Sequence, residues 1–341
     1  YGVNGQETTG PGGMAYGLRS IPAILQIIDW MQEYSPNAWM INYSNTIAIV
    51  AEACRRLRPG AKVINICDMP IDDMDRMAAI CGLNSWHDID FNYYGLNHFG
   101  WWKEVRNKKT GEDLMPKLKE YVREHGYWVG GDYDKDTEPS WEATFKKVAD
   151  EYKLEPETLP NNYMQYYYFP QYEVANADPN HTRTDEILEH RQKIVFGECE
   201  RIVEAGTAKD NIWDISGLHS EYIVDIIHAI AFNTHEKFLA NCANDGAIAN
   251  MDPDSIVEVP ALFGADGIQP MATGMAGRFQ RGLMMEQQTC EKLVVDAYVE
   301  HSYNKMLQAF ALNKTIPDAS VAKKILDDMI PVNAPYWPEL K

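Results

Sequence analysis

No apolar run in these 341 residues approaches the roughly 18 needed to cross a bilayer as a helix, and no signal peptide opens the chain. A soluble, cytoplasmic protein is the expectation. Cysteine is sparse and scattered. Cys54, Cys67, Cys81, Cys199, Cys242 and Cys290 form no C-x-x-C pair, which argues against a disulfide framework and for free thiols. Positive charge is short as well: 31 Lys and Arg face 50 Asp and Glu, a net charge of -19 with no basic stripe. Nucleic acid and anionic membrane are thereby disfavoured as general partners, while a small anionic substrate stays open if a few arginines converge. Internal repeats and low-complexity tracts are also lacking. What the chain does have is 45% hydrophobic residues and a length that suggests two closely packed domains.

Glycines at 10, 12 and 13 precede a helical pattern from Met14 to about Tyr34, with Ile21, Ile24, Leu25, Ile28 and Met31 on one face and Pro22 weakening its first turns. A short strand near Ala38 to Ile41, a helix from Ile47 to Leu57, a strand from Lys62 to Ile66, a helix from Asp72 to Ile80 and a strand near Asp90 to Leu96 follow. Alternation of this kind implies a parallel sheet with right-handed crossovers, in which the last two strands are neighbours. Beyond His98 the pattern changes to an edge hairpin, a helix from about Asp113 to Glu124 and a Gly- and Asp-rich loop at 130–139. Helical patterns then run over about Thr184 to Ala205, Glu221 to Ala240, Leu283 to Phe310 and Ser320 to Ile330, with short strands and loops over 246–274.

Cys67 and Asp68 end the apolar run Val63 to Ile66, and His98 comes 31 residues after the cysteine. Two metal donors and a carboxylic acid would meet at the carboxyl edge of the sheet, where open α/β proteins bind ligands, which makes the chain a candidate metal-assisted enzyme. The plainer readings are a buried thiol, a core histidine and, for Asp68, a helix cap.

Several spaced segments carry a resemblance. Gly5-Gln6-Glu7-Thr8, Asn42-Tyr43-Ser44-Asn45, Asn65-Ile66-Cys67-Asp68-Met69-Pro70, Gly95-Leu96-Asn97-His98-Phe99-Gly100-Trp101-Trp102, Asp113 to Leu118 and His181-Thr182-Arg183 closely resemble the family 4 glycoside hydrolases, in particular its 6-phospho-α-glucosidases that cleave maltose 6'-phosphate. The similarity runs to the closing Tyr336-Trp337-Pro338-Glu339-Leu340. It implies an α/β fold: the C-terminal half of a Rossmann NAD-binding domain over residues 1–95, then a mainly helical α+β domain over 96–341 that completes the active site and takes part in oligomerisation, as a dimer or tetramer. The implied reaction is NAD-dependent oxidation at C3, elimination, water addition and reduction, unlike that of the two-carboxylate glycosidases.

The resemblance also implies roles. Cys67 and His98 would hold a divalent metal, manganese in the family, and should approach within about 3 to 5 Å. Asp68 would be the general acid and Tyr163 the base that takes the C2 proton, with Glu7 raising its basicity. Asn45 would contact sugar hydroxyls and Arg183 the phosphate or sugar oxygens of a phosphorylated disaccharide. For Tyr163 core packing, for Glu7 an exposed loop carboxylate, for Asn45 a turn role and for Arg183 a surface charge are the alternatives. Arg19 reads more readily as an ordinary ion pair. A dehydrogenase of 2-hydroxy acids is a rival without use for Cys67-Asp68, and a non-catalytic oligomerisation module is a second.

Departures from the family pattern are Thr46, where proline is usual, and Thr184-Asp185, which replaces Ala-Asn beside Arg183 and brings in negative charge. A third is larger. Gly10 to Gly13 follow no strand, so the chain is expected to lack the N-terminal half that cradles the NAD pyrophosphate and, alone, to bind NAD weakly.

Overall fold

Gly10 to Gly13 are not a phosphate turn but the first turn of a helix. In the computed structural model, which describes residues 1–6, 8–135, 137–207 and 217–341, α1 runs over Gly10–Tyr34, four residues earlier than its apolar periodicity suggests. Pro11 suits that first turn because its missing N–H would have had no partner there. The order continues as β1 (Met40–Asn42), α2 (Ile47–Leu57), β2 (Val63–Asn65), α3 (Met69–Cys81), β3 (Ile89–Leu96), β4 (Phe99–Asn107), α4 (Met115–His125), α5 (Pro139–Leu154) and β5 (Leu159–Pro160). Helices α6 (Gln165–Tyr168), α7 (Pro170–Asn176), α8 (Arg183–Glu186), α9 (Gln192–Ala205) and α10 (Gly217–Phe232) come next. Strands β6 (Glu236–Ala243), β7 (Ile256–Gly264) and β8 (Gly267–Pro270) and helices α11 (Arg278–Glu300), α12 (Tyr303–Leu312) and α13 (Ala319–Asn333) close the chain.

The α/β class is as the sequence implies, but strand pairing is not. One eight-stranded sheet runs in the order β1-β2-β6-β7-β3-β4-β5, with β8 on β7. Only β1 and β2 are parallel among its described pairs; β6 joins β2 antiparallel, and β7 joins β3 antiparallel. The expected neighbours β2 and β3 are therefore separated by the β6–β7 hairpin. That hairpin was hidden in the sequence. The helical pattern from Glu221 stops at Phe232, because Asn233 and His235 take left-handed backbone (φ 54° and 56°) and turn the chain into β6. The pattern from Leu283 to Phe310 likewise splits at His301, a left-handed C-cap between α11 and α12. Helix α5 was not anticipated from the sequence at all.

The register places one transverse row of residues across six strands: Asn42, Asn65, Asn241, Glu258, Gly95 and Gly100. Apolar cores lie to either side of it. One packs α3, α4, α5 and α10 on the sheet through residues such as Met74, Met77, Leu118, Phe145 and Tyr222; another joins α1 and α2 to α11, α12 and α13 through Leu18, Ile21, Val294, Phe310 and Leu326. Each buried stripe removes its side chains from water at roughly 25 cal/mol per Å² of apolar surface. The row lies between these two packed flanks.

Candidate active site

Cys67 leaves the carboxyl end of β2 just before α3, and His98 is the second residue of the two-residue turn that joins β3 to β4, since Leu96 pairs with Phe99. The side chains meet despite the intervening strands. Cys67 Sγ lies 2.9 Å from His98 Nε2, and the residues are 4% and 4% exposed. The other ring nitrogen, Nδ1, is 3.1 Å from the Thr8 hydroxyl. Tyr163 stacks on the imidazole face with ring centroids 4.5 Å apart and planes at 20°, and it shares an apolar cluster with Ile47, Cys67 and Met69. Its backbone is pinned by the Asn161 side chain, which accepts the Tyr163 N–H at 3.0 Å.

Asp68 occupies the N-cap position of α3, but its side chain makes no capping bond there. The Tyr43 hydroxyl donates to it instead. The carboxylate is thus turned toward the β1 loop rather than spent on the helix. Asn45 is half-buried on that same loop, and the neighbouring Thr46 hydroxyl donates to the Gly13 carbonyl at 2.7 Å, a tie to α1 that the proline usual at this position lacks. Arg183 opens α8. Glu7 and the side chain of Arg183 lie outside the described residues. Asp185 is engaged by Thr182, whose N–H and hydroxyl donate to it at 2.7 and 2.8 Å and hold its carboxyl below the usual range. Arg19 lies 3.4 Å over the Tyr336 ring, and among the described residues it forms no ion pair.

Burial sets the protonation of the pair. It pushes the Cys67 thiol well up, with Asp68 and Glu258 adding to the effect, and brings His98 down to about 4 against the opposing pull of Asp68. At neutral pH the pair is therefore a thiol and a neutral imidazole. A divalent cation would reverse the thiol's balance, because a coordinated sulfur sheds its proton. Thiolate and imidazole converging at 2.9 Å are a fitting two-donor set for a transition metal, and two protein donors leave positions for substrate oxygens. Among the described residues no third His, Cys, Asp or Glu completes a ligand cluster. No cofactor-binding residue is assigned, and residues 1–6 form no strand ahead of Gly10 to Gly13.

Sequence reasoning missed the support behind these residues. Glu258, fully buried in the middle of the sheet, accepts from Asn97 Nδ2 at 3.1 Å, Asn241 Nδ2 at 3.0 Å and the Tyr93 hydroxyl at 3.2 Å, and burial pushes it up to about 7. Asn97 also hydrogen-bonds Cys67, so the Glu258 network reaches from the middle of the transverse row to the Cys67–His98 pair. The available signal was a lone glutamate in an otherwise apolar strand, Ile256 to Val259.

Comparison with known proteins agrees with the motif reading. Residues 1–83 match the model for family 4 glycosyl hydrolase, and residues 93–316 match that family's C-terminal domain. The chain is 60% identical over 341 residues to a 6-phospho-α-glucosidase of Lacticaseibacillus paracasei, covering 100% of this chain and 76% of that one. A crystal structure of a 6-phospho-α-glucosidase from gut microorganisms in complex with NAD and Mn2+ superposes with a TM-score of 0.95 at 44% identity, over 100% of this chain and 77% of the other. A second, with NAD and glucose-6-phosphate, gives 0.93 at 42% identity with the same coverage.

Proposed function

Because the chain belongs to glycosyl hydrolase family 4, we propose that it hydrolyses the O-glycosidic bond of 6-phospho-α-glucosides such as maltose 6'-phosphate, with NAD and a divalent metal, manganese by likeness to its relatives. The observation that carries the reading at the level of geometry is the Cys67–His98 pair with Tyr163 stacked on it. Bound NAD would supply reversible hydride transfer at C3 of the sugar, and Cys67 and His98 would hold a cation that supplies Lewis-acid polarisation of the C3 oxygen.

The chain's own residues handle the protons. Oxidation at C3 acidifies the C2 hydrogen, and Tyr163 removes it. A phenol is a weak base at neutral pH; a cation held beside it would favour phenolate, and Glu7, by likeness to the family, would raise its basicity. Asp68 gives its proton to the glycosidic oxygen as the C1–O bond breaks, leaving a C1–C2 double bond to which water adds. Asn45 bonds the sugar hydroxyls, and Arg183 offers a fork to the phosphate.

A homo-oligomer fits the surface. Leu188, Ile194, Phe196 and Val203 are all exposed on the stretch ending in α9, of whose described side chains only Glu198 is buried. The six free cysteines suit the reducing cytoplasm, where sugar phosphates and NAD are found. No helix among the described residues is long and apolar enough to cross a membrane.

The test is the fate of the C2 hydrogen. Holoenzyme turning over p-nitrophenyl α-glucoside 6-phosphate deuterated at C2 should lose the label to solvent or slow down, and Tyr163→Phe should fall by roughly 10²-fold or more while still folding. Asp68→Asn should spare p-nitrophenolate, which needs little protonation on leaving, and cripple disaccharide phosphates. Full retention of deuterium with near-normal Tyr163→Phe activity would return both residues to structural roles.

A further inference from the structure

We propose that Thr8, backed by Gln6, is a positioning residue that fixes His98 in the tautomer whose Nε2, facing Cys67, is free to ligate a metal; the proposal rests on reading Cys67 and His98 as the metal pair. Thr8 is 3% exposed and shares its hydroxyl between two neighbours. Its Oγ1 lies 3.1 Å from His98 Nδ1 and 2.8 Å from Gln6 Oε1, and its backbone N–H donates to that same Gln6 atom at 2.7 Å. The last bond decides the rest. A backbone N–H only donates, so the amide atom facing it must be the oxygen, and the oxygen only accepts. The single Thr8 hydroxyl proton is therefore committed to Gln6, and toward the ring Thr8 Oγ1 can only accept.

Nδ1 must then carry the hydrogen. In a neutral imidazole that leaves the lone pair on Nε2, which is the atom facing Cys67 Sγ at 2.9 Å. The other tautomer would set the Nδ1 lone pair against that of Thr8 and put a hydrogen where the metal belongs. Stacking on Tyr163 fixes the plane of the ring but is indifferent to which nitrogen is protonated. Thr8 and Gln6 supply that choice, as the outer hydrogen bonds of metal-bound histidines commonly do. The relay reaches His98 from 90 positions away in sequence.

The full chain with labelled histidine rings gives two readouts, the tautomer from two-bond nitrogen–proton NMR correlations and the Mn2+ dissociation constant from titration. Wild type should show Nδ1–H at His98. Thr8→Val, which keeps the shape and deletes the acceptor, should lose that preference and weaken Mn2+ by about 10 to 100-fold, while Thr8→Ser should restore both. Gln6→Leu frees the Thr8 proton to donate to Nδ1 and should lose the preference too, which settles the matter if Thr8→Val does not fold. Thr8→Val or Gln6→Leu with the wild-type tautomer and Mn2+ affinity within twofold would overturn the proposal. Cys67→Ser keeps the two readings apart: unchanged Mn2+ affinity there would remove the metal pair itself, whereas its loss beside a normal Thr8→Val would remove only the role of Thr8.

Discussion

At Cys67, burial and a bound cation pull in opposite directions, and the contest can be counted in protons. Burial holds the thiol protonated at neutral pH, while His98, brought down to about 4, has no proton to give up on binding. Loading Mn2+ at pH 7 should therefore release about one proton, not two, and the affinity should rise by about tenfold per pH unit below the thiol pKa. Calorimetry in two buffers of different ionisation enthalpy measures that number directly, and zero release would remove Cys67 from the ligand set. Cys67, Asp68 and His98 could be singled out in the sequence because each sits in a short local motif: Cys67-Asp68 behind a strand, His98 between glycines. The roles of Thr8 and Glu258 were not legible: one lay in a quoted motif and the other stands alone in an apolar strand, but their partners His98 and Asn97 are 90 and 161 residues away. Tyr43 lay in a quoted motif, yet its bond to Asp68 joins two loops and has no sequence signature.

Helices and strands were legible where one period dominated and illegible where left-handed residues cut it. Helix α2 falls where its periodicity puts it, whereas β6 was absorbed into a helical run because Phe238 to Ala240 are apolar in either reading. The β3–β4 hairpin shows how an element carries a site. Gly95 and Gly100 face each other in register just before and after the turn that presents His98, and a Cβ on Gly95 would collide with Gly100 Cα and the Phe99 carbonyl oxygen. Gly95→Ala should spread the strands, costing about 1 to 3 kcal/mol by denaturant unfolding and weakening Mn2+ through displacement of His98. If stability drops and metal affinity does not, the turn has more freedom than its close approach indicates.

Across the whole molecule, surface and interior charge both tie stability to pH. The net charge of -19 makes self-repulsion grow as acids ionise. Burial raises Asp73 and Glu151 well above the usual carboxylate range, Glu258 to about 7 and Glu291 to about 8. In the unfolded chain these groups ionise near pH 4 to 4.5, so between there and the folded values the unfolded state holds fewer protons and stability falls as pH rises. The melting temperature should accordingly peak near pH 5 and decline toward pH 8. Glu291→Gln, which keeps the bond from Gln287, should flatten part of that decline, and a curve that instead climbs from pH 5 to 8 would mean these acids are ionised in the fold. The sheet order bears on time as well. Cys67, Asp68 and His98 are made early, yet the strands leading to them are spaced by β6 and β7, drawn from residues 236–264. A ribosome will have delivered Cys67, Asp68 and His98 before the hairpin that frames them exists. Nascent chains halted ahead of β6 should hold no metal, so Cys67 and His98 wait without their frame until residues 236–264 have been made.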